Sequence, residues 1–125
     1  MELQTIFLGL VFLLSSLQAQ LSIMKNAEVK MEIKNAIMQC ESKGNPNAIN
    51  ENDKKITGYS SYGLYQFQPP TFLKAGIKYK IFPPETTLKE AMKYIKNPIY
   101  NAAVAHALLE DEQYNHWKNC YEKIK

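Results

Sequence analysis

The strongest constraint on the fold is an apolar helical stripe that is cut off abruptly. Val29, Ile33, Ala36, Ile37 and Cys40 fall on one face at helical spacing, with Glu28, Lys30 and Lys34 on the opposite side. The spacing predicts a helix over residues 26–42. Gly44 supplies a stop and Pro46 prevents continuation. Glu41 then sits in the last turn, rotated roughly 100° from Cys40. One side chain can tie the helix down while the next points elsewhere.

A carboxylate at that position is electrostatically unusual. The C-terminal end of a helix disfavours negative charge, so Glu41 is expected to hold its proton tightly, as a general acid near neutral pH must. An isolated glutamate at a helix end is more often a solvated surface residue. The next thirty residues of the chain weigh against that bland reading. Residues 45–60 are rich in Asn, Pro, Asp and Gly, the chemistry of turns, with a small β-hairpin as the most they can form. Then comes Ser60-Ser61-Tyr62-Gly63-Leu64-Tyr65-Gln66-Phe67-Gln68-Pro69-Pro70-Thr71. Leu64 and Phe67 read as core. Tyr62 and Tyr65 are candidate walls of a cleft, because sugar rings lie on aromatic faces while the hydroxyl stays wet.

The remaining chain reads as helical scaffolding. A short helix opens at Thr71 and ends at Gly76. Thr87 and Glu90 form a capping box for a helix over 88–96. Asn97-Pro98 starts another, on which Ile99, Ala102, Ala103, Ala105, His106 and Leu109 form a small-residue buried face. A last helix over 113–124 carries Trp117 and Cys120. His106 and His116 read as packed or rim histidines. The fold class expected is mainly α, a helical domain with at most a small β-hairpin beside a cleft. The chain's 125 residues suffice for one domain and not two.

Residues 6–14 are nearly continuous apolar residues followed by a Ser-, Ala- and Gln-containing exit. This run is short for a bilayer and resembles an export signal cleaved after Ala19, leaving residues 20–125 as the domain. An uncleaved anchor is the alternative. Export suits the two cysteines, since an oxidising compartment lets a Cys40–Cys120 disulfide persist; two buried thiols are the alternative. Such a bridge closes a loop of about 80 residues and contributes ~4 kcal/mol. No zinc-ligand spacing joins the cysteines to the histidines, and no metal or cofactor is expected. All 15 cations are lysine and the net charge is +3. The lack of arginine argues against nucleic acid as a partner. Scattered lysines suit either ordinary solubility or an anionic polymer.

Glu41-Ser42-x-Gly44-Asn45-Pro46-x-Ala48, followed by Gly63-Leu64-Tyr65-Gln66-Phe67-x-Pro69-x-Thr71, resembles the SLT-type lytic transglycosylase domains of the lysozyme-like, goose-type superfamily. Asn97-Pro98 and Asn101-x-x-x-Ala105 look like that family's later Asn-containing helix. The resemblance implies a lysozyme-like helical fold that cleaves the MurNAc–GlcNAc bond of peptidoglycan. It implies that Glu41 protonates the leaving oxygen and then activates the MurNAc 6-hydroxyl, giving a 1,6-anhydro sugar. It also implies a substrate-contacting Gln66, and Asn50 where many members carry a serine. Ser61, Tyr62, Tyr65, Gln68 and Asn101 complete the expected substrate-binding set. The chain departs from the pattern in placing Tyr65 where members carry Met, in a longer 50–60 loop, and in Leu108 where a helix tyrosine often contacts the acid. Tyr100, His106 and Tyr114 are the candidates to orient Glu41 instead.

Ordinary glycosidases use two carboxylates, about 5 Å or about 6.5–9.5 Å apart. Here only Glu51 and Asp53 can supply the second. If Asp53 reaches the cleft, a hydrolytic muramidase is the alternative outcome. A non-catalytic wall-binding module and a small secreted helical protein are the competing classes. The partners expected are glycan strands of peptidoglycan, with no nucleic acid, no membrane in the mature form, and a monomeric, secreted, periplasmic or wall-associated protein.

Overall fold

A computed structural model describes the chain from Leu3 to Lys125, with side chains described at residues 10 and 14 and from residue 16 onward. The expected export-signal core at residues 6–14 therefore lies largely outside the described side chains. By compactness the chain divides between Glu32 and Ile33. The first unit is the leading part of helix α1 (Leu3–Ser42). Its described residues are largely exposed, Leu14, Leu21 and Met24 among them.

The second unit contains the end of α1 and the rest of the chain. Strands β1 (Ile49–Asn50) and β2 (Ser61–Tyr62) form a two-stranded antiparallel hairpin, with Ile49 opposite Tyr62 and Asn50 opposite Ser61. Between them lie a 3-10 turn at Glu51–Asp53 and the one-turn helix α2 (Lys54–Thr57). Helices α3 (Pro69–Lys78), α4 (Leu88–Met92), α5 (Pro98–Glu110) and α6 (Lys118–Ile124) complete it, with a second 3-10 turn at Asn115–Trp117. The described chain is mainly α, in a lysozyme-like arrangement with a minute sheet.

The local signals that rest on neighbouring residues appear as the sequence suggests. Helix α1 ends at Ser42. The Thr87 hydroxyl accepts from the Glu90 amide, and Glu90 reaches back to the Thr87 backbone, a complete capping box. Asn97 Oδ1 accepts from the Ile99 amide at 2.9 Å. Cys40 and Cys120 are bonded, with Cα atoms 5.8 Å apart.

Several details differ. The α1 stop is taken by Lys43 as well as Gly44, both at positive φ (55° and 77°). Lys34, placed opposite the apolar stripe, is only 6% exposed and pairs with Glu110 at 2.7 Å. Conversely, Val29 is exposed, so the apolar face turns inward only from Ile33. Ile99 is also exposed, while Asn101 and Val104 occupy the centre of the α5 face. Helix α3 runs through Gly76, where a side chain would collide with the Phe82 ring. That glycine permits close packing and does not end the helix.

The core is Ile37, Phe67, Phe72, Ile95, Val104 and Trp117, all at most 1% exposed. Tyr65 belongs to it as well. Its hydroxyl donates to the Lys34 carbonyl at 3.2 Å and lies 3.0 Å from His106 Nε2. Its own carbonyl accepts from Trp117 Nε1 at 2.8 Å. The 62–67 turn is thus fastened from α1, α5 and the C-terminal segment at once.

Candidate active site

Glu41 lies in a cleft of about 560 Å³ together with Asn50, Asp53, Ser61, Gln66 and Gln68. The opposite wall comes from the C-terminal segment: Asn115, His116, Asn119 and Cys120. The disulfide explains the meeting of these segments. Glu41 follows one cysteine and Asn119 precedes the other, so the bond that joins the two sulfurs sets both side chains at one opening. His116, in the 3-10 turn that leads into α6, lies four residues before Cys120.

The Glu41 carboxyl is half-buried, and its pKa is raised from 4.5 to about 7. Burial is the main cause, because a carboxylate removed from water loses solvation that its neutral form does not need. The negative charge of Asp53 adds to the effect and Lys123 opposes it. From sequence, a raised value is expected from the helix end and an aromatic wall. In the structure it comes from burial and a neighbouring carboxylate. A carboxylic acid that keeps its proton on about half of the molecules at neutral pH can donate it to a leaving group.

Asp53 is held in the cleft by Ser61, whose Oγ donates to Asp53 Oδ2 at 2.6 Å. Gln68 Nε2 donates to Thr57 Oγ1 at 2.8 Å, bracing the wall below the loop. Asn50 caps the 3-10 turn by accepting from the Asn52 amide at 3.1 Å. Gln66 stands at φ 53°, a left-handed conformation unusual for a residue with a side chain. Its Nε2 donates to the carbonyls of Ala48 (3.1 Å) and Gly63 (2.9 Å).

Of the residues expected from sequence, Glu41, Asn50, Ser61, Gln66 and Gln68 are brought together. Three are not. Tyr65 is 1% exposed and faces the core, so it is no wall of the cleft. Asn101 is fully buried, its Oδ1 accepting from the Tyr65 amide (2.9 Å) and its Nδ2 donating to the carbonyls of Tyr62 (3.1 Å) and Ile95 (2.7 Å). Both amide hydrogens are spent, and burial keeps the oxygen from any ligand in the cleft. Tyr62 points away by strand alternation. Ser61 and its partner Asn50 face the cleft, whereas Tyr62 and its partner Ile49 line a separate groove with Lys54 and Lys55. The cleft is therefore walled by amides, not tyrosines.

The three residues considered for orienting Glu41 are not among those that line its cleft. Tyr100 stacks on Phe82, His106 meets the Tyr65 hydroxyl, and Tyr114 stacks on Tyr121 with ring centroids 4.2 Å apart. What sequence reasoning missed is His116, Asn115 and Asn119. The signal that would have found them is their distance along the chain from Cys120.

A mainly α, lysozyme-like domain whose polar cleft holds a half-buried Glu41 of raised pKa defines the class of protein. The Transglycosylase SLT domain pattern matches residues 19–124, and the chain belongs to that family. The family is one of peptidoglycan-cleaving glycosidases that work on the cell wall, outside the cytoplasm. No curated protein and no solved structure matches the chain.

Proposed function

We propose that the protein is a lytic transglycosylase cleaving the MurNAc–GlcNAc bond of peptidoglycan, with Glu41 as its general acid and base. The observation that carries this reading is the Glu41 carboxyl, raised to about 7 within a polar cleft large enough for sugar rings. Protonated Glu41 gives its hydrogen to the glycosidic oxygen as that bond breaks, and positive charge develops at the sugar C1. The carboxylate left behind then removes the proton from the same sugar's 6-hydroxyl as its oxygen attacks C1. A 1,6-anhydro end forms and Glu41 is again protonated. Asn50, Gln66 and Gln68 hold the sugars by hydrogen bonds, joined by Asn115 and Asn119 from the other wall.

A hydrolytic muramidase is the second reading, and the placement of Asp53 favours it. A carboxylate held by Ser61 in the same cleft can orient a water toward C1 in place of the 6-hydroxyl. The experiment that separates them is digestion of purified peptidoglycan by the wild type and by Glu41→Gln, with the products weighed by mass spectrometry. Anhydro ends lost in the variant support transglycosylation. Hydrated reducing ends support hydrolysis, and binding without cleavage by either protein rejects both. The reading includes export, with cleavage after Ala19 and action as a monomer on glycan strands.

A further inference from the structure

The His116 ring lies over Phe67 with centroids 4.9 Å apart and planes 23° apart, and meets Trp117 edge-on at 4.8 Å. These contacts fix the ring's plane. Its Nε2 is 3.3 Å from the Gln66 carbonyl oxygen. A carbonyl only accepts, so Nε2 carries the hydrogen and donates it. Burial disfavours a second proton on the ring, although the Gln66 carbonyl and the charge of Asp53 pull the other way. The donor is therefore supplied by a neutral imidazole.

The acceptor belongs to the one residue of the cleft with an unfavourable backbone. At φ 53° Gln66 is in a conformation that is strained for a residue with a Cβ. Such a conformation persists where its surroundings over-determine it. The Gln66 amide hydrogen goes to the Gly63 carbonyl at 3.2 Å, and both side-chain hydrogens go to Ala48 and Gly63. The amide oxygen of the side chain is the group that Gln66 has left to offer the cleft it lines.

We propose that His116 is a positioning residue for this cleft: by holding the Gln66 carbonyl it keeps Gln66 in its left-handed conformation, with the side-chain oxygen presented as a fixed acceptor for an acetamido N–H or hydroxyl of a sugar. This rests on the reading of the cleft as a glycan site. A fixed acceptor whose donors are already spent discriminates by hydrogen-bond polarity. It accepts a ligand donor and offers nothing to a ligand acceptor.

The test uses Glu41→Gln protein as a non-cleaving parent and a soluble β-1,4-linked GlcNAc tetrasaccharide as probe, with affinity measured by calorimetry. His116→Phe keeps a ring over Phe67 and removes the N–H, and should weaken binding about 10-fold. His116→Gln returns an amide N–H to the same place, and should bind within about threefold of the parent. A purely structural role predicts instead that Phe is tolerated and Gln is not. Should the Phe variant fail to fold, His116→Met against His116→Gln gives the same contrast of donor lost and donor kept. Equal affinity of the Phe variant and the parent overturns the proposal and leaves the glycan reading standing. No binding by the parent, together with no cleavage by the wild type, overturns that reading and the proposal with it.

Discussion

Glu41 and Asp53 line one cavity, and the charge on Asp53 strengthens the hold of Glu41 on its proton. The chain thus uses one carboxylate to keep another in its acid form. The arrangement has consequences for activity and for stability, with different signs.

For activity, the protonated fraction of Glu41 falls as pH rises through about 7, so kcat/KM on peptidoglycan should decline on a basic limb with that midpoint. Asp53→Asn removes a charge that raises the value and should move the limb to lower pH. Lys123→Gln removes a charge that lowers it and should move the limb to higher pH. Shifts of the same sign in the two variants, read from pH–rate profiles, contradict the assignment of Glu41 as the acid.

For stability, the folded chain retains a proton on Glu41 between 4.5 and about 7 that the unfolded chain has already released. Folding stability therefore falls as pH rises through that window and is level on either side. Glu41→Gln carries no such cost. Urea unfolding should find the variant ~1–2 kcal/mol more stable than the wild type at pH 8, after discounting for solvent screening, and equal to it at pH 4.

Asn101 should behave as a structural residue. Asn101→Ala leaves the Tyr65 amide and the Ile95 carbonyl without this partner and takes one of two donors from the Tyr62 carbonyl, a loss of ~2–4 kcal/mol in a buried network. Chemical denaturation measures this directly. A fully stable variant that has lost only glycan binding would return Asn101 to the substrate-binding set.

Replacing both Cys40 and Cys120 with serine should cost about 4 kcal/mol, since the bond closes a loop spanning 80 positions. Because the two cysteines adjoin Glu41 and Asn119, kcat should fall even at temperatures where the variant remains folded. Unchanged turnover in folded protein would show that the α1 end and α6 are held together without the bond.

Intact mass of the exported protein should correspond to a chain beginning at Gln20. The SLT pattern begins at residue 19, which leaves the preceding residues outside the family domain. A mass that includes Met1 would point to a retained anchor.

The features legible in the chain alone were those whose cause is local or covalent. The Thr87–Glu90 box, the Asn97 cap, the stop after Ser42 and the cysteine pair depend on near neighbours or on bond chemistry. Five of the expected site residues share the cleft, because the turn motif carrying Gln66 and the hairpin carrying Ser61 come soon after Glu41. The failures lie where a distant partner decides. Lys34 is buried because Glu110 awaits it on α5, and Asn101 is spent on the turn that it was expected to sit beside. Gly76 reads as a helix end until Phe82 is known to rest against it. His116 carried no signal of its own, since only the fold brings it beneath the Gln66 carbonyl.

The hairpin makes strand register a determinant of chemistry. Its two faces differ by one position along the strand: Asn50 and Ser61 serve the acid, while Ile49 and Tyr62 serve a groove with two lysines. A one-residue slip of one strand against the other would turn Asn50 or Ser61 away from the cleft, even with every other group intact.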